Sequence, residues 1–162
     1  MLNYRSVASI FMLASAVLTM PPAYAASELK MFGTLVSSPV CKIDNDAAIS
    51  VNFGTNVLKD KIDGSYLKQT VPYNIVCTNI DPNMSLYLTL ISTVASFDSA
   101  AVQTSTTDLA VHMELDAVPF KINVPFKITG CPVLTAVLTK RVSSSLATGA
   151  FFSKTSILQA EY

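Results

Sequence analysis

Charge, histidine, cysteine and tryptophan are all scarce in this chain of 162 residues. Charged residues make up 14%, divided evenly into 11 basic and 11 acidic, and tryptophan is absent. A near-neutral chain with scattered lysines gives no electrostatic case for nucleic acid or an anionic membrane surface. The one histidine, His112, sits in the alternating run LAVHMEL. There it shares a face with Ala110 and Glu114, so a solvent position is expected rather than a general base. No G-x-S-x-G elbow, C-x-x-C, H-E-x-x-H or acidic calcium loop occurs. Asp44 and Asp46 in KIDNDAA read as a turn. The residues point to no enzyme, no metal site and no cofactor.

Long apolar runs are also missing, except at the start. Residues 1–25 have a charged n-region with Arg5, the apolar stretch SVASIFMLASAVLTM, and PPAYA ending in the small-x-small pattern Ala23-Tyr24-Ala25. A signal peptide cleaved after Ala25 is expected, leaving an exported chain with no membrane span. What remains, residues 26–162, is enough for one domain with one core. So apolar a chain, with so little charge, is expected to have an obligate partner.

Export decides how the three cysteines read. Cys41 and Cys77 each lie beside strand-like runs, in SSPVCKI and VPYNIVC, and one bridge between them is expected. Such a bridge stabilises a fold by about 3–4 kcal/mol in the chain-entropy picture. Cys131, between Gly130 and Pro132, is left over as a thiol.

Helical periodicity is scarce and strand signals are frequent. ASELKMFGTLV, AAISVNFG, TVPYNIVC, SLYLTLI, TDLAVHMEL, PFKINVPFKI and VLTAVL each alternate or are rich in β-branched and aromatic residues. Residues 92–107, rich in serine and threonine, read as the longest loop. The closing stretch GAFFSKTSILQAEY places Phe152, Lys154, Ser156, Leu158, Ala160 and Tyr162 on one face of a final strand. Seven or eight short strands imply an all-β, antiparallel sandwich.

The order and spacing of these pieces add something further. GTLVSSPVC, SVNFG, VPYNIVC and the closing FSKTSILQAEY together resemble a chaperone–usher pilus subunit, of the minor fimbrial kind. The resemblance implies an immunoglobulin-like β-sandwich lacking its last strand, completed by a donor strand from another subunit. It implies a donor extension at 26–36, with Ser27, Leu29, Met31, Gly33 and Leu35 entering a neighbour's groove, and a pilin domain at 37–162. It further implies a groove-edge strand carrying the Phe152–Tyr162 face, offered first to a periplasmic chaperone and then to a neighbouring subunit at the outer-membrane usher. The product is then a fimbrium at the cell surface that contributes to adhesion. Two departures are visible: the family keeps a glycine two residues before the phenylalanine of the closing strand and one residue after its tyrosine, and here Ala150 precedes Phe152 by two and Tyr162 is the last residue given; Cys131 is also atypical. The competing expectation is a self-contained exported sandwich that binds a small ligand or carbohydrate.

Overall fold

The computed structural model describes residues 28–35, 37–80 and 82–162. The expected signal peptide and Ser27 lie outside the described residues, as does Asp81. The chain divides into two units, 1–35 and 36–162, and only the second carries strands among its described residues. In the first unit, residues 28–35 form no ladder, and Leu29, Met31, Phe32 and Leu35 are exposed.

The second unit contains β1 (Val40–Ile43), β2 (Gln69–Thr70), β3 (Ile75–Thr78), β4 (Leu86–Ile91), β5 (Val94–Ala95) and β6 (Asp98–Gln103). These are followed by β7 (Leu109–Leu115), β8 (Val118–Pro119), β9 (Phe126–Ile128), β10 (Leu134–Lys140) and β11 (Ile157–Glu161). Every pairing is antiparallel. One sheet has the order β2-β10-β7-β6-β5, with β8 against β7; a second has the order β11-β4-β9; β1 and β3 form a separate pair. Among the described residues no helix is long and apolar enough to cross a membrane.

The period-2 pattern decides what is buried. Val111, Met113 and Leu115 of β7 face Leu138, Ala136 and Leu134 of β10, residue against residue. From the other sheet, Leu88 and Leu90 meet them in one apolar cluster. The hairpin between β7 and β8 turns on Asp116 and Ala117, both at positive φ (49° and 64°), which gives the mirror-image twist that a two-residue hairpin requires.

Phe120 is the largest of the fully buried side chains, at 0% exposure, and stands edge-on to Phe126 with ring centroids 6.2 Å apart. Its backbone N–H donates to the Met113 carbonyl at 2.8 Å. Replacing it by alanine leaves a ring-sized void between the layers. Phe120→Ala is expected to cost about 3–5 kcal/mol, read as a lower denaturant midpoint at unchanged slope.

Four local expectations are corrected. Residues 92–107 are not a loop: they supply β5 and β6, because Ala95, Ala101 and Ala110 pack as a small-residue cluster with Phe97 that needs no large alternating side chains. PFKINVPFKI is strand only at Pro119, which ends β8, and over Phe126–Ile128, since the chain turns at Asn123 (φ 62°). TVPYNIVC is split into β2 and β3 around Pro72, which has no N–H to donate. His112 does not share an open solvent face with Ala110. Ala110 is fully buried, and the half-buried His112 has its Nδ1 2.6 Å from Asp98 Oδ2.

Candidate functional site

One edge of the second unit is left unfinished. β11 pairs with β4 through Ile157↔Ile91 to Glu161↔Tyr87, and none of the described ladders uses its other edge. Across from that edge runs the segment that follows β1. Its burial alternates, with Ile49, Val51 and Phe53 half-buried and Ser50, Asn52 and Gly54 exposed. The side-chain pattern is therefore that of a strand, as AAISVNFG predicts, but the segment has no strand partner. Two extended walls face one another with no backbone between them.

The space between them is a cleft of about 1320 Å³. That is larger than the roughly 300–1,000 Å³ usual for a small-molecule site. Its walls include Ile43, Ile49 and Val51 on one side and Leu158 and Ala160 on the other. Val71, Leu90, Val111 and Leu134, which belong to the core cluster, line it as well. The hydrophobic core therefore opens to solvent along this groove. An unpaired strand edge beside exposed core is the arrangement that natural sheets avoid or cover.

Each wall is pinned. The Cys41–Cys77 disulfide ties β1 to β3 at the pair Cys41↔Cys77. Ser92 Oγ donates to the Thr155 carbonyl at 3.1 Å and lies 2.9 Å from Ser156 Oγ, holding the entry to β11. Upstream, Ser153 bridges to Thr104, Ser105 N–H donates to the Phe152 carbonyl at 2.8 Å, and Lys154 N–H donates to the Gln103 carbonyl at 2.9 Å. The closing segment thus hydrogen-bonds first to the end of β6 and then crosses to β4.

This crossing corrects the expected closing strand. Leu158 and Ala160 face the core and Tyr162 is half-buried, but Lys154 and Ser156 are exposed, and Phe152 is 68% exposed. Phe151 takes the inward place instead, packed on the core cluster. A strict alternation from Phe152 fails because the chain changes sheets between residues 154 and 157, and with it the phase. Gly149 stands two residues before this inward phenylalanine. Sequence reading also missed Ile62 and Leu146, both buried and both lining the groove. They lie in polar surroundings without periodicity; the Gly149-x-Phe151 spacing is the signal that would have located the correct phase.

Asp46 and Lys59 are the ionisable residues that line the groove, and Lys59 Nζ donates to the Leu146 carbonyl at 3.1 Å. Lys68 Nζ contacts Glu114 Oε2 at 2.6 Å and holds that carboxyl below its usual range. Tyr73 donates its hydroxyl to the Pro132 carbonyl at 2.5 Å; burial, reinforced by the neighbouring Cys131, pushes its phenol up. Cys131 itself is an exposed free thiol. Among the described residues no cluster of histidine, cysteine, aspartate or glutamate has the geometry of a metal site.

Known proteins give this geometry a context. No family model matches the chain. The uncharacterized fimbrial-like protein YfcQ of Escherichia coli (strain K12) is 33% identical over 148 residues, covering 86% of this chain and 90% of that protein. Among solved structures, the P pilus adaptor subunit PapF superposes with a TM-score of 0.56 at 22% identity, over 78% of this chain and 98% of that one. The P pilus rod subunit PapA gives 0.54 at 17% identity, over 83% and 99%. These structural likenesses carry the fold, an incomplete immunoglobulin-like sandwich of pilin type. With 33% identity to YfcQ over most of both chains, the chain belongs to the fimbrial-like proteins.

Proposed function

We propose that this chain is a structural subunit of a surface pilus, joined to its neighbours by donor-strand exchange. The open groove between β11 and residues 47–53 is the observation that carries this reading. It has the form of a missing strand: apolar walls, a floor of core residues and an unpaired edge. An extended donor with apolar residues at every second position fills such a space and pairs with β11, which supplies both burial and register.

The donor is the N-terminal extension of another subunit, and residues 26–36 of this chain play the same part for the next one. Ser27, Leu29, Met31, Gly33 and Leu35 face the neighbour's groove. The exposure of Leu29 (77%), Met31 (82%) and Leu35 (101%) supports an extension held ready for another molecule. Until exchange, a periplasmic chaperone lends a strand to the edge carrying Leu158 and Ala160, and an outer-membrane usher carries out the replacement. The assembled fibre lies at the cell surface and contributes to adhesion.

Periplasmic expression tests this directly. The full gene is expressed alone and together with pilus chaperones, and soluble yield and co-purification are measured. Soluble protein is expected only with a chaperone, in a one-to-one complex. A stable, soluble monomer without one would count decisively against the proposal.

A further inference from the structure

The outer face of the β11-β4-β9 sheet is neither apolar nor evenly polar. Side chains alternate along each strand, so Leu88, Leu90, Leu158 and Ala160 pack on the core and their neighbours point outward. The outward residues include Tyr87, Thr89 and Ile91 on β4, Ile157 and Glu161 on β11, and Lys127 on β9. The solvated face of an antiparallel sheet normally carries polar residues. Here Ile91 (42% exposed) and Ile157 (57%) form a direct cross-strand pair, and Tyr87 (38%) lies two outward positions along β4.

The charges are ordered across the strands. Glu161 stands in register with Tyr87, and Tyr87 with Lys127, so one row reads acid, tyrosine, base. Among the described residues no ion pair uses either charge. Glu161 Oε1 accepts a hydrogen bond from the Gln159 side-chain amide, and Lys127 makes none. A second copy laid face to face, about a twofold axis running along β4, inverts the order of that row. Each Glu161 then stands over the partner's Lys127, Tyr87 over Tyr87 and Ile91 over Ile91. Such a contact is isologous, and symmetry supplies the complementary charges twice.

We infer that this face is a self-association surface, on which two copies of the chain pack sheet to sheet with Glu161 against Lys127 at both ends of the row. It does not depend on the donor-strand reading, because it uses the outward face of β11 and not its free edge. Three strands by five residues measure roughly 15 Å by 17 Å, well under the 800 Å² or so per partner of a standard interface. A single contact is therefore weak. Weak contacts become strong when they repeat along a polymer, and in the pilus proposed above they join one fibre to another side by side.

The test is a charge-reversal exchange, read by sedimentation equilibrium of the full chain at low salt. Excess peptide of residues 26–36 is present throughout, so that the groove contributes equally to every sample. Glu161→Lys and Lys127→Glu each place like charges opposite one another in a pair of identical copies, and each variant alone is expected to associate at least about 10-fold more weakly. An equimolar mixture of the two restores both opposite-charge contacts, and is expected to return to within a few-fold of the unaltered chain. Ile91→Lys, in the apolar part, is expected to abolish association with every partner. A mixture no stronger than its separate components would overturn the inference, as would an unaltered chain that shows no association. Should a reversal fail to fold, salt dependence decides. Association of the unaltered chain is expected to weaken between about 0.01 M and about 1 M salt, as the screening length falls from about 30 Å to about 3 Å. Association indifferent to salt would overturn the inference as well.

Discussion

Adding the missing strand raises the melting temperature of this chain by about 10 °C. The expected result is for saturating peptide of residues 26–36 added to the full chain, followed by thermal unfolding. Leu29, Met31 and Leu35 each contribute roughly 1.5–3 kcal/mol when they pass from water into the groove, before the costs of ordering and association are taken off. A net stabilisation of about 2.7 kcal/mol follows once the peptide stands at a hundred times its dissociation constant. For a domain of this size each kcal/mol is worth roughly 2–8 °C. A peptide with the same composition in scrambled order keeps the hydrophobicity but loses the alternation, and is expected to give little shift. Equal shifts from both peptides would mean nonspecific adsorption to exposed core, and no shift from either would mean that the groove does not take a strand.

Removing the disulfide is the second large effect. Cys41 and Cys77 are 36 residues apart, and a cross-link over a loop of that length restricts the unfolded chain by about 3–4 kcal/mol. The double variant Cys41→Ala, Cys77→Ala is expected to lose that amount in urea unfolding. The loss reaches the groove as well. Cys41 and Ile43 line it, and β1 is held to β3 by a ladder of only four residue pairs around the bridge. Weaker donor-peptide binding is therefore expected even at temperatures where the variant remains folded. A variant with unchanged urea midpoint would show that the β1–β3 ladder holds this wall without the bridge.

The strands with strong two-residue periodicity were legible without coordinates. β4, β7 and β10 lie where SLYLTLI, TDLAVHMEL and VLTAVL place them, because large alternating side chains have only one way to reach a core. The pairing of Cys41 with Cys77 followed from their flanking strands. What failed were segments whose structure depends on their partners. Val94–Ala95 and Asp98–Gln103 are strands because a cluster of alanines fits closely beside β7, and alanine gives almost no periodic signal. The tail alternates from Phe152 in sequence, yet Phe151 is the residue that packs inward.

The sequence by itself determined that this is an antiparallel β protein with one disulfide, an apolar alternating segment before the first cysteine and another at its end. Those properties depend on side-chain type and spacing, which any strand can express locally. Only the tertiary structure decided that residues 47–53 and β11 line one open groove, and that Phe53 and Phe151 meet there. A groove consists of atoms brought together from segments about a hundred residues apart, and the sheet change at residues 154–157 fixes which ring enters it. Periodicity specifies a face, and only packing specifies what that face meets.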